Sequence, residues 1–574
     1  MDPHQADEYD VVIVGTSLVQ SILAAALARS GRKVLNVDDD MLYGAQNATL
    51  SLAEFERFLQ GEEDAGKAQP IESDQVSKGA VLSRTSGSSL SAFKPLGVAE
   101  GSRPAARVND FNFDLTPRLV FCRGQCVDVL AESGVSRYLE FQTMDGTFYC
   151  PSSNDNGGAI DTLLVPQSKS QVFASGTLSM VEKRQLMRFL QFCLDYRSAS
   201  NSVAAGEEGV EWTNERLGAQ NPGRSLTRPQ NKSEDSELRD KAITSKGDPL
   251  SLFLQRDVRM SKKLTDIVLF AIAHQAYGTG RELTVEDGMT RVGRYLGALG
   301  RFGSTPFLTP MYGSGEICQG FSRLCAVYGG ICALGIKPLA IREDGIAFTS
   351  VARQSLGDVQ FPPFVKAKAA MVVSGSYFNE SDALFPGYLD EVEVRAIALL
   401  SGSVFDQGFH RTFFVIPTML SGFSAAHGIQ LDHKARVVAD QQYVLHLTIR
   451  VKTSTAETIH AAKMHLATIL DQLVAKKKGE VQITWKSYFW RRLVIDRPQP
   501  IQVKEGLSLF ISGDASSKVS VGLDVDLDDA FARAEHMFKA ICPGETFLPP
   551  SESELRARQE EQSAAIMAMP DMEA

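Results

Sequence analysis

The sequence lacks the long apolar runs and catalytic signatures that mark membrane proteins and several common classes of enzyme. No apolar stretch approaches the ~18–20 residues that a membrane-spanning helix needs. The chain contains no GxSxG nucleophile elbow, no HExxH zinc motif and no phosphate-binding loop ending in GK[ST]. Together these absences are expected of a non-catalytic binding protein.

The sequence also lacks cysteines at metal-binding or redox spacing and has no excess of positive charge. The eight cysteines show no metal-binding or redox spacing, so we expect a reduced chain with no metal site. The net charge of −10 argues against a nucleic-acid partner and leaves no basic patch for a membrane surface. The acidic start, MDPHQADEYD, predicts no signal peptide and therefore a cytoplasmic protein. A length of 574 residues predicts two or more domains.

What the sequence does contain begins with a βαβ pattern of the dinucleotide-binding type. The apolar strand YDVVIV ends at Gly15, an alanine-rich helix follows, and a second strand ends at Asp38, where a ribose partner belongs. The fingerprint needs glycine at its second and third positions, so that the backbone can approach the pyrophosphate. Ser17 and Gln20 occupy those positions, and Gln20 would crowd the site. This degenerate dinucleotide loop predicts an α/β, FAD-binding-like fold without a bound cofactor.

A second glycine-rich stretch lies between residues 301 and 334. Gly313 and Gly315 indicate a backbone that turns tightly or closely approaches another surface. Glu316, Gln319 and Arg323 follow at i, i+3 and i+7, which puts them on one face of a predicted helix. The alternative interpretation is a solvated face on which Glu316 and Arg323 pair with each other.

The run MYGSGEICQGFSRLCAVYGG, residues 311–330, resembles the signature PLYGxGELPQxFxRxxAxxGG of the Rab GDP-dissociation inhibitor and escort protein family. GTSLVQSIL, residues 15–23, is similar to that family's GTGLxES-IL pattern, and Leu42-Tyr43-Gly44 to its Tyr-Tyr-Gly-Gly motif. The resemblance implies an oxidoreductase-type fold that has lost its FAD, and a platform that grips GDP-bound Rab GTPases. The residues that match the platform are Tyr43, Gly44, Tyr312, Gly313, Gly315, Glu316, Gln319 and Arg323.

The resemblance also implies further partners. Escort members present newly made Rab to the α/β heterodimer of Rab geranylgeranyltransferase and deliver the lipidated product in transient contact with membranes. Tyr295 and Arg301 are the candidate transferase contacts; alternatively, Tyr295 packs inward and Arg301 caps a helix. Candidate walls of a geranylgeranyl groove, which could equally be sealed core, are Met187, Leu190 and Leu194, with Ile267, Phe270 and Ala271 opposite.

The sequence pattern and the resemblance together predict an α/β domain and an inserted all-helical domain. Two polar stretches, 60–109 and 198–248, lack apolar periodicity and are predicted to be disordered insertions. The predicted boundaries are 1–122 and 301–550 for the α/β domain, 123–300 for the helical domain and 551–574 for a flexible tail.

Three functions remain open at this point. The first is an escort member of the family, and the second is a dissociation inhibitor, which extracts lipidated Rab but does not serve the transferase. The third is a flavin amine-oxidase-like enzyme, favoured by LFISGD, residues 509–514, because such Gly-Asp strand ends hold the FAD ribitol. The two long insertions and the segment VEKRQLM, residues 181–187, favour the escort type over the inhibitor.

Overall fold

The computed structural model describes most of the chain in ordered segments. The described residues are 8–61, 81–85, 87–104, 110–151, 160–204, 232–275, 282–350, 361–418, 420–477, 479–497, 499–514, 527–551, 555–556 and 559–560. Within these ranges no helix is both long and apolar enough to cross a bilayer. Nor do the same residues bring three His, Cys, Asp or Glu side chains together where they could hold a metal ion.

The elements are numbered in chain order. The strands are β1 (Glu8–Val14), β2 (Val34–Val37), β3 (Thr49–Ser51), β4 (Val81–Arg84), β5 (Phe93–Pro95), β6 (Glu100–Gly101), β7 (Asn112–Asp114), β8 (Val120–Phe121), β9 (Phe141–Thr143), β10 (Gly146–Tyr149), β11 (Leu163–Leu164), β12 (Phe307–Pro310), β13 (Ile331–Ala333), β14 (Ile336–Arg342), β15 (Gly345–Ser350), β16 (Phe364–Ser374), β17 (Tyr388–Leu400), β18 (Thr412–Ile416), β19 (Ala426–Asp432), β20 (Tyr443–Val451), β21 (Ile483–Val494), β22 (Ile501–Lys504) and β23 (Leu507–Ser512). The α-helices are α1 (Leu18–Arg29), α2 (Leu52–Gln60), α3 (Gln125–Ser133), α4 (Lys169–Ala174), α5 (Met180–Ala204), α6 (Lys232–Thr244), α7 (Leu250–Arg256), α8 (Lys262–Asp266), α9 (Val285–Ala298), α10 (Gly315–Val327), α11 (Ala456–Ala475) and α12 (Asp528–Ile541). A π-helical turn, Ile267–Ile272, continues α8.

The first large sheet contains the predicted βαβ unit. Its strands run in the order β13-β2-β1-β16-β15-β14-β4, with β23 pairing along β16 and β22 along β23. β1 pairs in parallel with β2 and β16, and β23 pairs in parallel with β16. Helix α1 connects β1 to β2 and packs against α10 and α12, because its run of alanines lets neighbouring helices come close. The predicted α/β fold class is confirmed.

The second large sheet is mostly antiparallel, in the order β11-β10-β18-β19-β20-β17-β21-β5, with β6 beside β21. Helix α11 lies between β20 and β21 in the chain. It covers one face of this sheet, where Val392, Val394 and Ala396 of β17 join an apolar core with its buried leucines and isoleucines. Because strand side chains alternate, Glu393 and Arg395 point to the opposite face.

Glu393 is the centre of a buried charge cluster on that opposite face. Its carboxylate accepts hydrogen bonds from Arg395 Nε at 2.6 Å, Arg491 Nε at 3.0 Å and Arg450 Nε at 3.5 Å. Arg450 and Arg491 lie directly across from Glu393 on the two neighbouring strands. Burial by itself would raise the pKa of Glu393, but the three guanidinium groups lower it well below its usual range.

The helical layer begins at a capping box. Ser179 N–H donates to Glu182 Oε2 at 2.9 Å, and Glu182 N–H donates to Ser179 Oγ at 3.3 Å. From there α5 runs to Ala204, and α9 packs against both α5 and the π-helical turn. Strands β9, β10 and β11 interrupt the segment predicted to be all-helical, and β10 pairs with β18 of the second sheet. The helices of this layer therefore lie between residues 169 and 298.

Parts of both predicted insertions are ordered, and the prediction of disorder is wrong there. Between residues 81 and 101, β4 pairs with β14, while β5 and β6 pair with β21. Residues 232–244 form α6, which buries Leu238 and Ala242. These segments depend on partners far away in the chain, so local periodicity does not reveal them. Residues 62–80 and 205–231, and most of the predicted tail, lie outside the described residues.

We expect Glu393→Gln to lower the free energy of unfolding by about 3 kcal/mol or more, because it leaves buried guanidinium groups without their shared carboxylate. Urea denaturation of the purified chain measures this change. The matched control is Glu380→Gln, which removes a 66% exposed partner of Arg492 and should change the same free energy by less than about 1 kcal/mol. Equal losses in the two variants would contradict the role given to the cluster.

Candidate functional site

The turn between β12 and α10 exposes one aromatic side chain on a constrained backbone. Tyr312 adopts a left-handed conformation with φ of 65°, its side chain is 46% exposed, and its N–H donates to the Ala435 carbonyl at 2.9 Å. Gly313 follows with φ of 107°. A Cβ atom at position 313 would lie 2.5 Å from Thr49 Oγ1 and 2.6 Å from Asp114 Oδ1. Position 313 therefore requires glycine on grounds of both backbone conformation and space.

The buried carboxylate of Asp114 holds this turn in place. It accepts hydrogen bonds from the Ser314 N–H and hydroxyl, both at 2.9 Å, and from the Thr49 hydroxyl at 2.5 Å. Thr49 Oγ1 in turn accepts from the Gly315 N–H at 2.9 Å. Burial raises the pKa of Asp114, and the hydrogen bonds from Thr49 and Ser314 offset part of that rise. We call Asp114, Thr49 and Ser314 the Asp114 junction.

One face of α10 carries the polar residues that the sequence predicts there. Glu316 is half-buried and accepts a hydrogen bond from Gln319 Nε2 at 3.0 Å. Burial raises the pKa of Glu316, and this hydrogen bond lowers it again in part. Arg323 is exposed and its guanidinium lies 4.2 Å from the ring centroid of Tyr138. Glu316 and Arg323 therefore do not pair with each other as the alternative interpretation has it: Glu316 contacts Gln319, and Arg323 contacts Tyr138.

Tyr43 and Gly44 lie in the loop after β2, and Tyr43 is near Cys325 of α10. Gly44 has φ of 112° and its N–H donates to Thr16 Oγ1 at 3.0 Å. Tyr43 is half-buried; burial raises the pKa of its phenol, and the neighbouring Cys332 and Cys325 add to the rise. The structure therefore brings the two sequence-distant segments together, with the Asp114 junction linking them. We call Tyr43, Tyr312, Glu316, Gln319 and Arg323 the platform residues.

Four exposed apolar side chains on and near α10 were not predicted from the sequence. This set lies at the C-terminal end of α10, at the start of the edge strand β13, and in the loop after β2. Its members, Met41, Val327, Tyr328 and Ile331, are 40–62% exposed. The run of apolar residues across the end of a predicted helix is a signal that could have revealed it.

The degenerate dinucleotide loop is closed by its own side chains. Gly15 has φ of 108°, and the Gln20 side chain is fully buried and donates to the Ser512 hydroxyl at the end of β23. Asp38 Oδ2 accepts from the N–H and the hydroxyl of Thr16 at 2.8 and 2.6 Å. Burial, and then the neighbouring Asp39 carboxylate, raises the pKa of Asp38 to about 8. The carboxylate that would bind a ribose therefore binds the loop instead.

These residues do not fit a flavin dinucleotide. The space beside Ser17, between α1 and the Gly513-Asp514 strand end, is a cavity of about 20 Å³. Pockets for cofactors enclose about 300–1,000 Å³. Asp514, which would face a ribitol, accepts instead from the Val494 N–H at 3.0 Å. The residues that the amine-oxidase alternative would need for its flavin, Asp38 and Asp514, are thus held by the protein itself.

The family comparison agrees with this arrangement. The sequence profile described as GDP dissociation inhibitor matches residues 5–79, 90–215 and 252–467, which is more than half of the chain. The chain belongs to the GDP dissociation inhibitor family. The resemblance drawn from the glycine-rich stretch and the β1–α1 loop is confirmed.

Relatives in the family match nearly the whole chain. A Drosophila melanogaster protein named Rab proteins geranylgeranyltransferase component A is 27% identical over 97% of this chain and 93% of its own length. The human protein named Rab proteins geranylgeranyltransferase component A 1 is 25% identical, over 95% and 92% respectively. The crystal structure of a Rab GDI from Plasmodium falciparum has a TM-score of 0.61 and 16% identity, covering 94% of this chain and all of that one. The last comparison shows a shared fold.

Of the two candidate transferase contacts in this family member, the structure excludes Tyr295. Its side chain is 1% exposed and packs against His274 and Phe307, because it lies on the core face of α9. Arg301 is accessible, with a side chain 33% exposed. It does not cap α9, which ends at Ala298; its Nη1 donates to the Cys122 carbonyl at 3.1 Å.

The two predicted walls of the lipid groove differ in accessibility. Met187, Leu190 and Leu194 are half-buried along one edge of α5, whereas Leu186, Phe189 and Cys193 form its core face. The prediction is wrong for the opposite wall, since these side chains are sealed in the π-helical turn between α9 and β10. They are Ile267, Phe270 and Ala271, all at most 4% exposed.

We expect Gly313→Ala to lower the free energy of unfolding by at least about 2 kcal/mol, because the added methyl meets Thr49 and Asp114 in a left-handed backbone. The matched control is Gly329→Ala, where φ is +83° and a Cβ would meet nothing within 4 Å. The control should cost about 1 kcal/mol from backbone conformation alone. Chemical denaturation of both variants gives the difference, and equal costs would contradict the tight junction at Gly313.

Proposed function

We propose that this chain is a Rab escort protein: it binds newly made, GDP-loaded Rab GTPases and presents them to Rab geranylgeranyltransferase. It then carries the lipidated Rab to membranes. In this role it is a non-catalytic, substrate-presenting component that uses no flavin. The observation that carries the proposal is the set of accessible platform residues, with Tyr312, Gln319 and Arg323 exposed, on a backbone fixed by the Asp114 junction. The names of relatives that match nearly the whole chain support the same assignment.

The chemistry of the platform residues suits a protein surface. Tyr312 supplies rigid amphipathic area, and Arg323 supplies a planar fork of donors for carboxylates and carbonyls. Tyr138 lies under the Arg323 guanidinium and limits its rotamers, so less conformational entropy is lost when the arginine binds a partner. Aromatic and arginine side chains held in this way are typical of interface residues that dominate affinity.

Selectivity for GDP follows from shape without any contact to the nucleotide. The switch segments of a GTPase are ordered by the γ-phosphate and released when it is lost. A rigid surface that fits only the released conformation shifts binding toward the GDP form. The Asp114 junction and the close packing at Gly313 provide that rigidity.

The accessible Arg301 remains our candidate for the transferase contact. It lies after α9, at the start of the segment that leads to β12, and its planar group stacks 5.2 Å from the Phe302 ring. Phe302 itself is 51% exposed. An exposed arginine beside an exposed phenylalanine is the combination expected at an interface of moderate size.

We expect Arg323→Ala to weaken binding of Rab·GDP by at least ~1–2 kcal/mol and to leave transferase binding unchanged. Arg301→Glu should do the reverse, weakening the transferase and sparing the GTPase. Calorimetric titration of each variant against each partner measures all four affinities.

Each variant serves as the control for the other, because both replace an accessible arginine. Thermal unfolding of both should stay near that of the unmodified chain. Unchanged Rab·GDP affinity in Arg323→Ala would place the GTPase site elsewhere. Loss of both partners in either variant would indicate a misfolded chain and not a contact.

The half-buried edge of α5 is our candidate for sheltering the lipid. A geranylgeranyl chain has about twenty carbons, and at ~0.8 kcal/mol per buried CH₂ its shelter is worth on the order of 10 kcal/mol. Met187, Leu190 and Leu194 lie on successive turns of this edge, so they can follow an extended acyl chain. Because the other predicted wall is sealed core, the chain would lie along α5 itself.

We expect Leu190→Asp to leave affinity for unprenylated Rab·GDP unchanged and to reduce the amount of prenylated Rab held in solution. The matched control is Leu252→Asp, the same substitution at a 53% exposed leucine of α7. Sedimentation of prenylated Rab with liposomes measures the soluble fraction. If folded Leu190→Asp retains the lipidated product as well as the control does, the groove is not at this edge.

A dissociation inhibitor remains the second candidate, favoured by the match to the family profile described as GDP dissociation inhibitor. Dependence of Rab prenylation on this protein separates the two. An escort protein supports geranylgeranylation of unprenylated Rab by the transferase, whereas an inhibitor only extracts Rab that already carries its lipid.

A further inference from the structure

The cavity beside the degenerate loop has polar walls that are not explained by the proposed function. It lies below the Gly44–Asn47 turn, at the N-terminus of α1, and between the two strand ends that carry Arg491 and Asp514. Its lining includes Arg118, Arg491 and Arg533.

Arg491 is the least satisfied of these side chains. It is 1% exposed, and its Nε donates to Glu393, which it shares with two other arginines. Its Nη1 and Nη2 groups make no hydrogen bond to any residue in the described part of the chain. Asp514 Oδ1 lies 3.6 Å from Nη1, close enough for an ion pair but beyond hydrogen-bonding distance, so the Nη donors stay unused. A buried guanidinium with unused donors is costly unless a negatively charged group meets it.

A second, independent set of donors converges on the same cavity from α1. Ser17 is the N-cap residue, its side chain makes no capping bond, and its buried hydroxyl has no described partner. The first N–H groups of a helix lack intrahelical acceptors, and the helix dipole favours an anion there. The Leu18 N–H donates to Asn47 Oδ1 at 3.3 Å, and Val19 of the same first turn also lines the cavity.

The charges that line the cavity and its volume limit which ligands can bind there. The acids that line the cavity are Asp514 and Asp529, and the side chain of Asp529 is 51% exposed and therefore screened by solvent. Arg533 is fully engaged by the carboxylate of Asp496, at 2.6 and 2.7 Å. A volume of about 20 Å³ holds one small ion, since about 10–15 Å³ suffices for a water molecule.

We propose that this cavity binds a single halide-sized anion, chloride in the cell, between the Arg491 guanidinium and the N-terminus of α1. The anion takes the electrostatic place that a dinucleotide pyrophosphate would hold in this fold. It links α1 to β21 and steadies the Gly44–Asn47 turn next to Tyr43.

The test uses crystals of the full chain grown in sodium bromide, together with thermal unfolding in chloride and in gluconate at equal ionic strength. Bromide should give an anomalous peak between Arg491 and Ser17. Chloride should raise the unfolding temperature by about 1 °C or more over gluconate, which is too large for the cavity.

Two variants test whether the anomalous peak and the chloride-dependent rise in unfolding temperature both come from this cavity. Arg491→Gln should abolish the peak and the chloride-dependent shift, and Ser17→Ala, which leaves the Glu393 cluster intact, should weaken the shift several-fold. Absence of the peak, or a shift that persists in both variants, would overturn the proposal in favour of a water-filled cavity. A peak without any chloride-dependent shift would mark an adventitious ion only and would equally overturn it.

Discussion

The carboxylate of Asp114 joins three parts of the chain that are far apart in sequence, and the exposed face of α10 depends on it. Through Thr49 and Ser314 it fixes the start of β3 and the turn before α10 in one hydrogen-bonded unit. The turn cannot relax, because Gly313 leaves no room for even a methyl group beside that unit. Tyr312 is held in a left-handed conformation as a result, and its ring points to solvent from a backbone that cannot yield.

Internal hydrogen bonds also fix the degenerate dinucleotide loop. Asp38 binds Thr16 of its own loop, and Gln20 bridges to Ser512 across the space that a pyrophosphate would need. These hydrogen bonds within the protein join the start of α1 to the ends of β2 and β23.

Features coded by neighbouring residues could be predicted from the sequence, and features coded by distant partners could not. The βαβ unit, the Ser179–Glu182 capping box and the one-sided face of α10 follow from local spacing. The stacking of Arg323 on Tyr138 joins residues from two separate elements, and no periodicity announces it. Tyr295 was misplaced for a related reason: helical spacing shows that a face exists but not whether it meets solvent or core.

The pairing of the first sheet has a consequence for how the protein is made. β1 leaves the ribosome well before its partner β16, and β23 comes later still. β4 and β5 likewise precede their partners β14 and β21. These strands therefore keep unpaired edges until their partners emerge, a state that favours aggregation and slow, late folding. We expect chaperones that shield such edges to assist folding of the chain during its synthesis.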